Sequence, residues 1–135
     1  MSILNNSRGQ GSVEFVIITG IMLFVIMGMV VAMQIRISDA YQNQLYSAME
    51  QLGSLVNVEV RLAYASSGDY AREFYLPDVI SGYDYGIALY DKTEVVIRSN
   101  DVDYIIFLDT DVEGDLDKGR NLIIKQDGVI TISQP

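Results

Sequence analysis

The chain of 135 residues contains no cysteine and no histidine. Without cysteine there can be no disulfide bond, no thiolate metal site and no thiol nucleophile. Without histidine the commonest general base and the commonest transition-metal ligand are missing as well. The sequence also lacks a phosphate-binding loop, a serine hydrolase elbow and a metal triad. We therefore expect that the protein is not an enzyme and that it has no catalytic residues, no cofactor and no metal site.

The first half of the chain contains no proline, and one long stretch of it contains no charge. Residues 15–33 carry no charged side chain, and Thr19 is their only polar one. Nineteen such residues are enough to cross a bilayer as a helix. The segment is too long for a secretory signal, and no small-residue cleavage site follows it. We therefore expect it to remain in the mature protein as a membrane helix.

Beyond Gln34 the apolar residues become periodic. They recur every three or four positions, which indicates an amphipathic helix with one apolar stripe. Because no proline occurs before Pro77, we predict one helix over residues 12–66, roughly 80 Å long, with Gly68 as its cap. The predicted stripe consists of Ile37, Tyr41, Leu45, Ala48, Met49, Leu52, Leu55, Val56, Val60 and Ala63.

The remainder of the chain alternates apolar and polar residues with period two, as half-buried β-strands do. We predict strands at residues 71–76, 83–89, 94–98, 102–108, 121–125 and 129–133, with a hairpin turn at 126–128. Short strands and tight turns indicate an antiparallel sheet, and the helical stripe would cover its apolar face. The predicted fold class is α+β. Its parts are a leader at 1–9, a long helix at 10–66 with a membrane-spanning first half, and a small antiparallel β domain at 67–135.

The net charge of −9 lies mainly in this last part, where residues 68–135 hold fourteen acidic against six basic side chains. Such a surface repels nucleic acid and anionic lipid. We expect a solvated acidic head and no nucleic-acid partner.

The polar leader ends in Arg8 and Gly9, and Glu14 is the last charge before the apolar run. A carboxylate at the mouth of a membrane helix needs a partner or a function. Cleavage between Gly9 and Gln10 would place a new amino group about one helical turn from Glu14. In a low-dielectric bundle this carboxylate could pair with the amino terminus of an adjacent copy and set the register of the subunits.

The stretch Gly9-Gln10-Gly11-Ser12-Val13-Glu14-Phe15 resembles the class III signal peptide of archaeal type IV pilins. Glutamine, serine, glutamate and the aromatic residue all stand at the positions that this pattern requires. Bacterial prepilins usually have phenylalanine where this chain has Gln10, which favours the archaeal form. The resemblance implies processing before Gln10 by an archaeal prepilin peptidase. It also implies assembly by an ATPase and a membrane platform protein into an extracellular, adhesion-type pilus made of copies of the chain.

Two other interpretations of the amino-terminal segment remain open. Glu14 could lie solvated at headgroup depth, with residues 15–35 as an ordinary anchor. The protein would then be a single-pass, membrane-anchored extracellular binding protein. It could also be a minor pilin that does not form the bulk of a filament.

Small residues within the apolar run could serve helix packing. Gly28 and Ala32 are four positions apart, and Gly20 lies eight positions before Gly28. Such residues allow helices to approach closely, although glycine is also tolerated generally in membrane helices.

The acidic segment Asp109–Asp117 resembles the first half of a calcium-binding loop. Its twelfth position is Arg120, where an EF-hand requires a bidentate glutamate. We expect a solvated acidic loop rather than a metal site.

Overall fold

A computed structural model describes the chain over residues 7–135, with side chains from Gly9 onward. Most of the predicted leader and the side chain of Arg8 therefore lie outside the described residues. One helix, α1 (Ser7–Ala65), occupies 59 residues and begins five residues before the predicted start. The chain divides into two compact units, with the boundary inside this helix between Tyr41 and Gln42.

In the first unit, α1 is exposed along its whole described length. The hydroxyl of Thr19 donates a hydrogen bond to the carbonyl oxygen of Phe15 at 2.8 Å. The one polar side chain of the apolar run is thus satisfied within its own helix. By length and composition the helix could span a membrane.

The second unit contains the β-structure of the described chain. Its strands are β1 (Tyr70–Leu76), β2 (Val79–Ile80), β3 (Tyr83–Asp84), β4 (Gly86–Tyr90), β5 (Glu94–Ser99), β6 (Val102–Phe107), β7 (Val112–Gly114), β8 (Gly119–Gln126) and β9 (Val129–Ser133). They form a four-stranded sheet in the order β1-β8-β9-β7, a β2-β3 pair and a three-stranded sheet β4-β5-β6. Every pair is antiparallel except β7–β9, which is parallel.

The core of the second unit lies between α1 and the sheets, so the predicted α+β fold with a helix packed on a β-sheet is confirmed. The helix contributes Leu45, Met49, Leu52, Val56, Val60 and Ala63, all nearly inaccessible to solvent. The sheets contribute Phe74, Leu76, Ile87, Val95, Ile97, Ile123, Ile130 and Ile132.

Three members of the predicted stripe do not belong to this core. Ile37, Tyr41 and Leu55 are exposed, and burial along α1 begins only at Leu45. Gly53, by contrast, is buried. A Cβ atom added there would lie 3.1 Å from a methyl group of Ile106. The glycine thus allows α1 to lie close against β6.

The prediction that Gly68 caps α1 is wrong. Gly68 does not have a positive φ, so it does not form the left-handed turn that such a cap requires. Instead, the ammonium group of Lys125 on β8 donates hydrogen bonds to the carbonyl oxygens of Tyr64 and Ser66, at 3.0 and 2.7 Å. A cation at this position also complements the negative end of the helix dipole.

Candidate functional site

The segment that carries the motif, Gly9–Phe15, lies in the first turns of α1. Gln10, Ser12, Glu14 and Phe15 are all exposed. The Gly9–Gln10 peptide bond is therefore close to the helix start, where backbone N–H groups lack partners within the helix. The arrangement leaves these side chains accessible to a second protein.

Glu14 is exposed, and no ion pair within the part of the chain described from Gly9 onward involves it. It lies four positions after Gln10, a rise of about 6 Å along a helix. The helix begins at Ser7, so Glu14 lies about two turns inside it, beyond the first turn in which the helix dipole stabilises a carboxylate. A full positive partner for Glu14 would have to come from outside the described residues.

The apolar run that follows is uncovered on every side. Its large side chains from Phe15 to Met33 are at least half exposed, with Phe24 reaching 82%. Cβ atoms added at Gly20 or Gly28 would meet nothing within 4 Å, and Ala32 is exposed as well. Gly28 and Ala32 share one helix face because they are four residues apart. That face is open to lipid or to another helix.

The acidic segment Asp109–Asp117 does not fold as a calcium loop. Its middle residues form β7, and the Glu113 carboxylate accepts a hydrogen bond from the Lys92 ammonium group at 2.8 Å. This contact lowers the pKa of Glu113. Asp115 and Asp117 each accept a hydrogen bond from the next backbone N–H. Across the described residues, no group of three or more acidic side chains could hold a metal ion.

A groove of about 370 Å³ lies beside α1 in the second unit. It is lined by Ala48, Gln51, Leu52, Leu55, Pro77, Ile80 and Ser81. None of these side chains is ionisable, so this groove offers no general acid or base.

Sequence reasoning missed an apolar surface on the outer face of β4-β5-β6. It consists of Ala88, Tyr90, Val96, Ile105 and Phe107, and we call it the sheet patch. A signal for it was present in the sequence. Residues 95–97 and 104–108 are continuous apolar runs rather than alternating ones, and such runs are typical of strands that are covered on both faces.

No family model, curated protein or solved structure matches the chain. What the geometry shows is a long amino-terminal apolar helix whose second part packs on a small β-sheet, the general layout of pilin-like proteins.

Proposed function

We propose that this protein is a structural subunit of an archaeal type IV, adhesion-type pilus. It is made as a membrane-inserted precursor, processed before Gln10 and polymerised through the apolar part of α1. The observation that carries the proposal is the uninterrupted helix. Its first part is apolar and wholly exposed, and its second part lies buried against a folded head. The motif at Gly9–Phe15 stands at the start of that helix.

Exposed apolar surface supports a role in assembly. Removing such surface from water is worth about 25 cal/mol per Å². The side chains of residues 15–33 therefore need a cover, which lipid supplies to the precursor and neighbouring helices supply in a filament. Gly20, Gly28 and Ala32 allow those helices to approach closely.

Glu14 supplies the register in this proposal. Once Gln10 carries a free amino group, the carboxylate of one subunit pairs with the amino terminus of the adjacent one. A buried charge without a partner costs several kcal/mol, so only the pairing register is stable. The acidic head, outside the bundle, keeps the assembled surface soluble.

Processing gives the first test. Mass spectrometry of the protein extracted from its native cell should find a mature amino terminus at Gln10. The partners expected are the archaeal prepilin peptidase, the assembly ATPase and the membrane platform protein. A chain that keeps residues 1–9 while functioning as a monomer would contradict the proposal and favour a single-pass membrane-anchored binding protein. A processed chain that is scarce in filaments would be a minor pilin.

The Glu14→Gln variant gives the second test. Membrane insertion should be normal, whereas filaments should be absent or disordered under electron microscopy, because the amide cannot form the ion pair. Glu50→Gln is a matched control, since Glu50 is an exposed acid in the second part of the same helix. Normal filaments from Glu14→Gln would show that this carboxylate does not set the register.

A further inference from the structure

The second unit carries two separate apolar surfaces that nothing in the described chain covers. One is the sheet patch, where Tyr90, Ile105 and Phe107 are 54%, 50% and 66% exposed. The other lies on the solvent side of α1 and consists of Leu55, Val58 and Leu62, which are 38%, 50% and 43% exposed. We call it the helix stripe.

The sheet patch is continuous across three strands. Ala88, Val96 and Ile105 are direct cross-strand neighbours, and so are Tyr90, Glu94 and Phe107 in the adjacent row. Residues that face each other in this way have Cβ atoms about 5 Å apart and form one surface. An antiparallel sheet with one solvated face normally carries polar residues there. Here five apolar residues stand on that face, with the charged residues Glu94, Arg98 and Asp103 among and beside them.

The helix stripe has the spacing needed to cover a flat sheet. Leu55, Val58 and Leu62 are three and four residues apart, so they form one line along α1. This line points away from the buried residues Val56 and Val60. A helix that presents apolar lines on two sides can contact its own sheet with one and a second sheet with the other.

A pair of opposite charges is compatible with contact between the helix stripe and the sheet patch. The head is strongly acidic, yet Arg61, one turn from Val58, is in none of the ion pairs among the described residues. Glu94, in the middle of the sheet patch, is likewise in none of them. At the rim of the patch, Arg98 and Asp103 neutralise each other at 2.6 Å. Arg61, which lies beside the helix stripe and lines a small groove with Asp109, and Glu94 in the sheet patch are thus opposite charges that form no ion pair within the described residues.

We propose that the occupant of the sheet patch is the helix stripe of a second copy of this chain, with Arg61 of one copy beside Glu94 of the next. Each copy then contacts one neighbour through its sheet patch and another through its helix stripe, so the contact is heterologous and repeats along the filament instead of closing a reciprocal dimer. This inference rests on the proposed function, in which the heads of neighbouring subunits lie side by side. It adds a head-to-head interface to the helical bundle of the filament.

Because the chain contains no cysteine, a disulfide between copies can form only at cysteines that are introduced. The full chain with Val58→Cys and Ile105→Cys should give a ladder of covalent dimers, trimers and longer species when oxidised in its native cells. Within one copy these positions cannot be bridged, because α1 and the sheet lie between them and a disulfide requires Cα atoms within about 7 Å. Val58→Cys with Glu73→Cys is the matched control, since Glu73 is exposed on β1 away from the sheet patch.

A ladder from the chain with Val58→Cys and Ile105→Cys, with none from the control pair, supports the heterologous contact. The absence of a ladder would overturn it. A covalent product of the chain with Ile105→Cys alone would overturn it as well, because a dimer of two copies would mean that the sheet patch pairs with itself, and a product with another protein would mean that this protein occupies the patch. Filaments formed by the unmodified chain without a ladder in the variant would overturn this interface and leave the proposed function intact. A chain that keeps its leader and forms neither would overturn both.

Charge reversal tests whether Arg61 of one copy contacts Glu94 of the next. Arg61→Glu or Glu94→Arg, introduced into the chain with both cysteines, should lower the yield of the ladder roughly two- to fivefold, as expected for a surface ion pair. The double reversal should restore it. Failure of the double variant to recover, with both single variants impaired, would show that the two residues do not meet.

Discussion

The two parts of α1 differ in the number of their apolar residues, sixteen in residues 15–33 and eleven in residues 45–63, and they bury them in opposite ways. Residues 15–33 are apolar in every direction around the helix axis, and none of them is buried. From Leu45 to Ala63 six apolar residues form a stripe that is packed in the core, and Leu55, Val58 and Leu62 form the exposed helix stripe. A helix that is apolar all round needs lipid or a surrounding bundle, whereas a stripe needs a cover on its own side only. Both the number of apolar residues and their distribution around the helix separate the proposed assembly part from the folded head.

The largest expected effect comes from placing a charge in each part. Val56→Asp, at a fully buried site, should lower the free energy of unfolding of the head by roughly 4 kcal/mol or more. Val31→Asp should leave the head folded and instead impair membrane insertion by about 3 kcal/mol. Near-ultraviolet circular dichroism of the detergent-solubilised full chain reports the first effect, and membrane fractionation reports the second. A head that is destabilised in both variants would mean that the two parts of α1 are not independent.

A smaller effect is expected from filling space at two glycines of α1. Gly53→Leu should destabilise the head by about 1–3 kcal/mol, because the new side chain has to displace Ile106 and Tyr104. Gly28→Leu is the matched change in open space, and it should leave the melting temperature of the head unchanged. Equal melting temperatures for the two variants would show that α1 does not need Gly53 to approach β6.

The smallest effect concerns alkaline pH, to which only the head should respond. Burial and nearby acids such as Asp78 raise the pKa of Tyr85 from 10.0 to about 12, and its hydroxyl donates to the carbonyl oxygen of Pro77 at 2.5 Å. Since the folded-state pKa is raised, the stabilisation is complete below pH 10 and is lost between pH 10 and 12. Residues 15–33 contain no ionisable side chain, so their helix should not respond.

The Tyr85→Phe variant isolates this effect. It should cost about 1 kcal/mol at neutral pH through loss of the hydrogen bond, and it should flatten the fall in melting temperature at alkaline pH. An unchanged alkaline profile in the variant would assign the titration to another tyrosine.

Much of this fold can be predicted from the sequence, because local patterns carry it. The lack of proline before Pro77 predicted one helix, and alternation predicted the regions of β1, β4, β5, β6, β8 and β9. The Asp127-Gly128 turn also agrees with the structure, since both residues have positive φ. β2 and β7 were missed because they span only two and three residues, which is too short for a pattern.

The residues of the candidate site also fall into those that the sequence reveals and those that only the structure reveals. The motif from Arg8 to Phe15 can be recognised only in the sequence, and its cleavage and register roles remain predictions. The sheet patch and the helix stripe could not be assigned without the strand register, which shows that Val96 and Ile105 are neighbours on one outer face.

The sequence by itself determined the uninterrupted helix and the change along it from continuous to periodic apolarity, because both depend on residues near one another in the chain. Tertiary structure alone decided where burial begins, how β7 joins β9, and that Lys125 rather than Gly68 satisfies the helix end. Each of these depends on groups far apart in the chain, and a local pattern carries no information about which of them meet.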